Sequence, residues 1–238
     1  MTGSDLIAVW ECGEGERATG RALALLTAAE PGLAQERRAS LPVGRRDASL
    51  LALRERLFGP HFSGVTSCPA CGESIELTFD AQDVRRDVHD GAPLVVHLAD
   101  FELRLRLPDT RDLLAIERAR DLASARDVLL ARCTTAATRN GVPVDLHELP
   151  DDVLTRIPSI LGSADPQADV ELELSCPSCA HAWREPFDIV SFLWTEVEAQ
   201  AQRLLAEVHL LASAYGWSEE AILRLSPARR RTYLELVR

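Results

Sequence analysis

The feature that most constrains the fold of this chain is a pair of short cysteine motifs, SCPACG at residues 67–72 and SCPSCA at residues 175–180. Each motif is a CPxC turn that can present two thiolates to one metal ion. Structural zinc takes four such ligands at tetrahedral corners, with sulfur about 2.3 Å from the metal. The spacing therefore predicts one structural zinc site with four ligands: Cys68, Cys71, Cys176 and Cys179.

The distance between the two motifs along the chain is unusual. An isolated zinc ribbon separates its cysteine pairs by about 15–20 residues, whereas 104 residues lie between Cys71 and Cys176. A shared site requires the middle segment to be an insertion whose two ends return to the same place. Protein would fill all four ligand positions, so the predicted site contributes to folding and leaves no position for water or substrate.

Other interpretations of the motifs stay open at this stage. A thioredoxin-like redox pair begins a helix, whereas the residues after Cys71 and after Cys179 are typical of strands. The motifs could also be two unrelated turns, or a site that has lost its metal. Gly72 suits the positive φ of a CPxC turn, and Ala180 departs from that pattern. His181 is close enough along the chain to be a spare ligand.

Apolar periodicity divides the remaining chain into strands and helices. Strands are predicted at residues 5–10, in ESIELTF (73–79), in the hairpin PLVVHLADFELRLRL (93–107), and in VELELS and HAWREPF on either side of the second motif. Helices are predicted at 16–29, 47–58, 110–120, 124–135 and 151–162, then as a long helix of about 26 residues after Asp188, and as two short helices capped by Ser218 and Ser226.

Composition narrows the classes of function. No apolar run approaches the roughly 18–20 residues that span a bilayer, and the N-terminus lacks the basic start and long apolar core of a secretory signal, so a cytoplasmic location without membrane contact is expected. A net charge of −11 argues against nucleic-acid binding as a general role, because phosphate attraction needs a positive face. The sequence contains no GxxxxGK[ST], GxGxxG, GxSxG or HExxH motif, and we predict that the protein is not an enzyme.

Several further residues have a structural and a functional interpretation. Cys12 and Cys133 lack partners at ligand spacing and are predicted to be buried. GRRD (44–47) is predicted to be a turn with Asp47 as helix N-cap rather than an anion site, and Arg229–Arg231 to be an exposed charged face. Trp217 and Tyr233, close to the C-terminus, either pack onto the long helix or form a docking surface.

Several stretches together resemble a known protein family. AYGWSEEAILRLSPARRRTYLELV (214–237) and LPVGRRDASLLALRERLFG (41–59) are similar to segments of the T4-like phage baseplate hub assembly proteins, which also occur in gene clusters of phage-tail-like contractile injection systems. CPACGESIEL, LRLPDTRDLLAIE and LELSCPSCAHAWREPFDIVSFLW resemble the zinc-ribbon branch of that group. The resemblance implies a non-catalytic protein with baseplate partners, in which Trp217 and Tyr233 are partner contacts.

The sequence thus predicts an α+β fold: a split four-cysteine zinc ribbon with a helical insertion, flanked by N- and C-terminal helices. The predicted segments are residues 1–67, 68–187 and 188–238. The predicted function is chaperone-like assistance in assembling the baseplate hub or spike of a contractile injection particle. The alternatives are a permanent structural baseplate subunit and a zinc-ribbon regulator that binds DNA through its basic C-terminal helices.

Overall fold

The computed structural model describes residues 1–237 and contains both helices and strands. The helices are α1 Gly3–Gly13, α2 Ala18–Ala29, α3 Gln35–Ala39, α4 Val43–Phe58, α5 Ala81–Val84, α6 Thr110–Ile116, α7 Leu122–Cys133, α8 Asp151–Leu154, α9 Ile157–Ala164, α10 Ile189–Tyr215, α11 Glu219–Leu223 and α12 Pro227–Val237. The strands are β1 His61–Ser67, β2 Ser74–Asp80, β3 Leu94–Leu98, β4 Phe101–Leu105, β5 Thr134–Arg139, β6 Val142–Pro143, β7 Glu171–Ser175 and β8 Ala182–Pro186.

The chain forms two compact units. One is helical and contains Met1–Pro31 together with the described residues from Ile189 to Val237; the other is Gly32–Asp188 and contains the eight strands of the described residues. The three segments predicted from the sequence follow the order of elements along the chain, and they stay a prediction.

The helical unit is built around α10, whose apolar residues recur every three or four positions and form one buried stripe. Helix α1 contributes Leu6, Ile7 and Val9 to the buried interior of this unit. The predicted strand at residues 5–10 is therefore wrong. The apolar run LIAVW is too short to separate strand from helix by periodicity, and the capping box formed by Thr2 and Asp5 starts a helix there.

The second unit contains a four-stranded antiparallel sheet in the order β3-β4-β5-β6 and two separate hairpins, β1-β2 and β7-β8. The inner face of the sheet packs on α7, α8 and α9, and its core includes Leu103, Leu105, Cys133 and Ile157. The predicted hairpin at Ala99–Asp100 is confirmed, because Leu98 pairs with Phe101 and Ala99 takes a φ of 50°.

Buried charges connect this sheet to two helices. Asp112, fully buried at the start of α6, accepts hydrogen bonds from Arg106 at 2.6 and 2.8 Å and from Arg132 at 2.5 Å. Burial alone would raise the pKa of Asp112, but the hydrogen bonds from Arg106, Asp109 and Arg132 lower it to about 2. This carboxylate therefore stays ionised and joins the residue after β4 to α6 and α7.

Two element predictions need correction in the middle of the chain. The helix predicted at 151–162 is divided into α8 and α9, because Pro158 fits only the first turn of a helix. The helix predicted at 124–135 ends at Cys133, and β5 follows directly. The signal for this strand was present in Thr134 and Thr135, which are β-branched, and in the hairpin turn Asn140–Gly141.

The start of α4 also differs from the prediction. The helix begins at Val43, so Asp47 is not an N-cap but a buried residue one turn inside, where it pairs with Arg46 at 2.7 Å. The N-terminus is instead capped by Asp165, whose Oδ2 accepts a hydrogen bond from the Gly44 N–H at 2.8 Å. GRRD is therefore helical, and the chain itself supplies the carboxylate that satisfies the helix start.

Candidate metal centre

The two CPxC motifs form loops of the same backbone structure. In the first, the Cys68 N–H donates to the Glu73 carbonyl and the Gly72 N–H donates to the Cys68 carbonyl, both at 2.9 Å. In the second, the Cys176 N–H donates to the His181 carbonyl and the Ala180 N–H donates to the Cys176 carbonyl, again at 2.9 Å. Each loop closes an antiparallel hairpin and directs two thiols to the same side.

The hairpins bring the four predicted ligands together. The sulfurs of Cys68, Cys71, Cys176 and Cys179 all lie within 4.8 Å of one another. Two of these distances join the loops: Cys68 Sγ lies 3.7 Å from Cys179 Sγ, and Cys71 Sγ lies 3.6 Å from Cys176 Sγ. The insertion between the motifs therefore returns to its starting point, as the sequence required.

The sulfur positions match a tetrahedral metal better than a disulfide. A disulfide bond is about 2.05 Å long, and the cysteines are free. Four sulfurs about 2.3 Å from a central zinc ion stand about 3.8 Å apart, close to the distances between the loops. The donor set consists of thiols alone. Thiolate ligands suit zinc, whereas hard cations such as Ca²⁺ and Mg²⁺ take oxygen ligands.

Cys71 and Cys176, one from each loop, differ in acidity. Burial raises the pKa of Cys176, but the backbone N–H groups of Cys179 and Ser178 outweigh it and lower this pKa to about 7. The backbone N–H of Glu73 lowers the pKa of Cys71, yet contacts with the sulfurs of Cys179 and Cys176 raise it to about 12. Ionisation of the Cys176 thiol thus disfavours ionisation of the Cys71 thiol. A divalent cation would relieve the repulsion between the two thiolates.

A cluster of phenylalanine rings fixes the two hairpins at the ends away from the sulfurs. Phe62 of β1 stacks on Phe79 of β2 with ring centroids 5.0 Å apart. Phe187, which follows β8, meets both rings edge-on at 5.6 and 5.5 Å. The hairpins therefore touch at two levels, and the thiols are held in place by packing that the metal does not provide.

Arg54 in α4 supports this ring cluster. Its guanidinium carbon lies 3.8 Å from the centroid of the Phe62 ring, and its Nη1 donates to the carbonyls of Gly59 and His61 at 2.7 and 2.6 Å. Neither Arg54 nor the three rings could be assigned to the site from the sequence. The signal present in the sequence was that Phe79 and Phe187 are the last residues of the predicted strands ESIELTF and HAWREPF.

The second unit and its thiol cluster lie largely within the part of the chain that matches a known family. The model of the family described as T4 bacteriophage base plate protein matches residues 29–194, about 70% of the chain. The chain belongs to this family. No curated protein and no solved structure matches it. Membership gives the protein a role in the baseplate and indicates a structural or assembly protein rather than an enzyme.

Both cysteine motifs lie inside the matched range of this base plate family, whereas the aromatic residues near the C-terminus lie outside it. Trp217 stacks on Tyr215 at 4.7 Å, and Tyr233 meets Trp217 edge-on at 4.9 Å. Trp217 and Tyr233 are half-buried against each other, and Tyr215 is 37% exposed. These three residues, the C-terminal aromatic cluster, thus pack at the end of α10 and also present ring surface to solvent.

The remaining candidate residues have ordinary structural roles in this base plate protein. Cys133 is fully buried, as predicted, and burial raises its pKa to about 11. The prediction for Cys12 is wrong, because this residue is exposed. His181 stacks near Trp183 at 6.1 Å, and the metal-ligand cluster found among the described residues contains the four cysteines without it.

The basic run in α12 differs from a uniformly exposed face. Arg230 is buried and pairs with Glu207 at 2.8 Å, while Arg229 and Arg231 are exposed. The run therefore exposes two positive charges rather than three, which weakens the case for a DNA-reading helix. Among the helices that the structure describes, none combines the length and apolar character required to cross a membrane.

Proposed function

We propose that this base plate family member is a non-catalytic assembly factor for the hub or spike of a phage-tail-like contractile injection particle. The observation that carries the proposal is the match to the base plate family over residues 29–194, a range that includes the four-thiol cluster joining the two hairpins. Such a protein would act in the cytoplasm, where these particles are built, and its partners would be hub or spike proteins.

In this proposal zinc is a structural component. Cys68, Cys71, Cys176 and Cys179 would hold the ion, and all four ligand positions would belong to the protein. The ion would supply folding free energy by neutralising the thiolates and joining the two ends of the insertion. The protein's own contribution is the loop backbone and the phenylalanine cluster, which place the sulfurs before the ion arrives.

The composition of the mature particle tests the assembly role against the alternative of a permanent subunit, which the family description equally allows. Quantitative mass spectrometry would compare mature particles with hub or spike intermediates isolated from the same cells. We expect the protein in the intermediates and less than one copy per particle in the mature form. A stoichiometric amount in mature particles would favour the permanent subunit.

We further propose that the C-terminal aromatic cluster contacts the partner. Trp217→Ala should weaken recovery of hub or spike proteins at least tenfold and lower the melting temperature by less than about 4 °C, because the ring is only half-buried. Trp183→Ala, at another half-buried tryptophan, is the matched control and should leave recovery unchanged. A large loss of melting temperature in Trp217→Ala would instead assign this residue to the core.

A further inference from the structure

Strand β3 forms one edge of the four-stranded sheet, and no other strand of the described residues pairs with its outer side. The two-residue turn at Ala99–Asp100 makes Leu98 and Phe101 the closing pair of the hairpin, which exchanges hydrogen bonds. By alternation along the strand, the backbone N–H and C=O groups of Val95 and His97 point away from β4. These groups are therefore available to pair with one more strand at the edge of the sheet.

The composition of β3 does not protect this edge. Natural edge strands are blocked by charged residues, proline, bulges or short length. The β3 sequence LVVHL contains no Asp, Glu, Lys or Arg, and no proline or glycine. The opposite edge, β6, has two residues and ends in Pro143. The other hairpin strands carry charges in β2, β7 and β8, and β1 contains Gly64 and three hydroxyl side chains.

The side chains of β3 show where the apolar core stops. Leu94 and Val96 face the core cluster but are only partly buried, while their neighbours Leu103 and Leu105 on β4 are fully buried. Val95, on the outer face, is 53% exposed. A further strand beside β3 would cover Leu94 and Val96 and would continue the core by one strand.

We propose that the edge of β3 docks an extended, uncharged segment of another protein of the same baseplate, which adds a fifth strand to the sheet. The vacant N–H and C=O groups fix the occupant as an extended backbone, and the partly covered Leu94 and Val96 call for apolar side chains at alternate positions. A second copy of this chain is the poorer occupant, because two chains of net charge −11 repel each other. The inference rests on the proposed baseplate function.

Val95→Pro tests the edge selectively. It removes one outward N–H without touching the ladder between β3 and β4, and proline is tolerated in edge strands whose N–H faces solvent. The matched control is Val95→Thr, which keeps the N–H and the β-branched shape. Val95→Lys is the second blocking variant, since a charge protects edges, and it replaces Val95→Pro if that variant melts more than about 5 °C below the wild type.

The tagged full-length variants would be produced in cells that make the particle, with bound particle proteins quantified by mass spectrometry and amide hydrogen exchange measured on the free chain and on the complex. We expect the blocking variants to recover at least tenfold less of one particle protein than Val95→Thr. The amides of Val95 and His97 should exchange at least tenfold more slowly in the wild-type complex than in the free chain.

Results that contradict the proposal would show which part of it is wrong: the edge site, the baseplate role or the occupant. Equal recovery by all variants, or unchanged exchange at β3, would overturn the edge site and leave the baseplate role standing. Recovery of no particle protein by the wild type would overturn both proposals. A wild-type dimer in analytical ultracentrifugation that Val95→Pro dissociates would assign the edge to a second copy and overturn the proposed occupant.

Discussion

The loops of the two cysteine hairpins have the same backbone conformation but different sequences. In the first loop Gly72 takes a φ of 77°, and in the second Ala180 takes a φ of 58° at the equivalent position. Glycine adopts this left-handed conformation freely, whereas alanine pays about 1–2 kcal/mol for it. The second loop nevertheless keeps the same two backbone hydrogen bonds, so the shared site, rather than local preference, determines its shape.

The hairpins also differ in what supports their strands. The first hairpin rests on Phe62, which is 1% exposed and lies under Arg54. The second carries Trp183 half-buried on its surface, where the indole N–H donates to Glu185 at 3.0 Å. The first hairpin is thus anchored by a buried ring within its own strand, whereas the second is joined to that ring through Phe187, next to its last strand, and depends more on the thiol cluster.

The largest effects should come from the ligands, where the hairpins are equivalent. Cys68→Ser and Cys176→Ser should each abolish zinc binding and lower the melting temperature by more than about 10 °C, because metal binding is coupled to folding. Elemental analysis and calorimetry on the purified full chain would measure both. Cys12→Ser, at the exposed cysteine outside the cluster, is the control and should change neither.

Absence of zinc from the wild type, with both serine variants melting like it, would refute the metal site. If only one of the two variants lost zinc and melted at a lower temperature, the hairpins would not share one ion.

The next largest effects should differ between the two hairpins. Phe62→Ala should reduce the free energy of unfolding by about 3–5 kcal/mol, since the ring is buried and stacked on Phe79. Trp183→Ala should reduce it by only about 1 kcal/mol, because its ring is half exposed. Denaturant unfolding of the zinc-loaded proteins measures both, and equal losses would show that the second hairpin is anchored as firmly as the first.

The sequence predicted the cysteine cluster because ligand spacing is a local signal that survives a long insertion. It also predicted the β3-β4 hairpin, where alternation and turn residues agree. It failed at α1, where a short apolar run fits two periods, and at the start of α4, where Asp165 supplies the cap from 121 positions away. It could not identify Arg54 as a support of the site, because its ring contact depends on tertiary packing.

The smallest effect tests the loops themselves. Ala180→Gly should stabilise the zinc-loaded protein by about 0.5–1 kcal/mol, because glycine removes the strain of the left-handed conformation at some cost in chain entropy. Gly72→Ala should destabilise it by about 1 kcal/mol; apart from the two chain neighbours, no described residue has an atom within 4 Å of the added methyl, so the cost would come from the positive φ. Denaturant midpoints at equal zinc loading measure the pair. Opposite signs of similar size would confirm that the two loops are one structure, whereas a destabilising Ala180→Gly would show that the Ala180 methyl makes a contact that the first loop lacks.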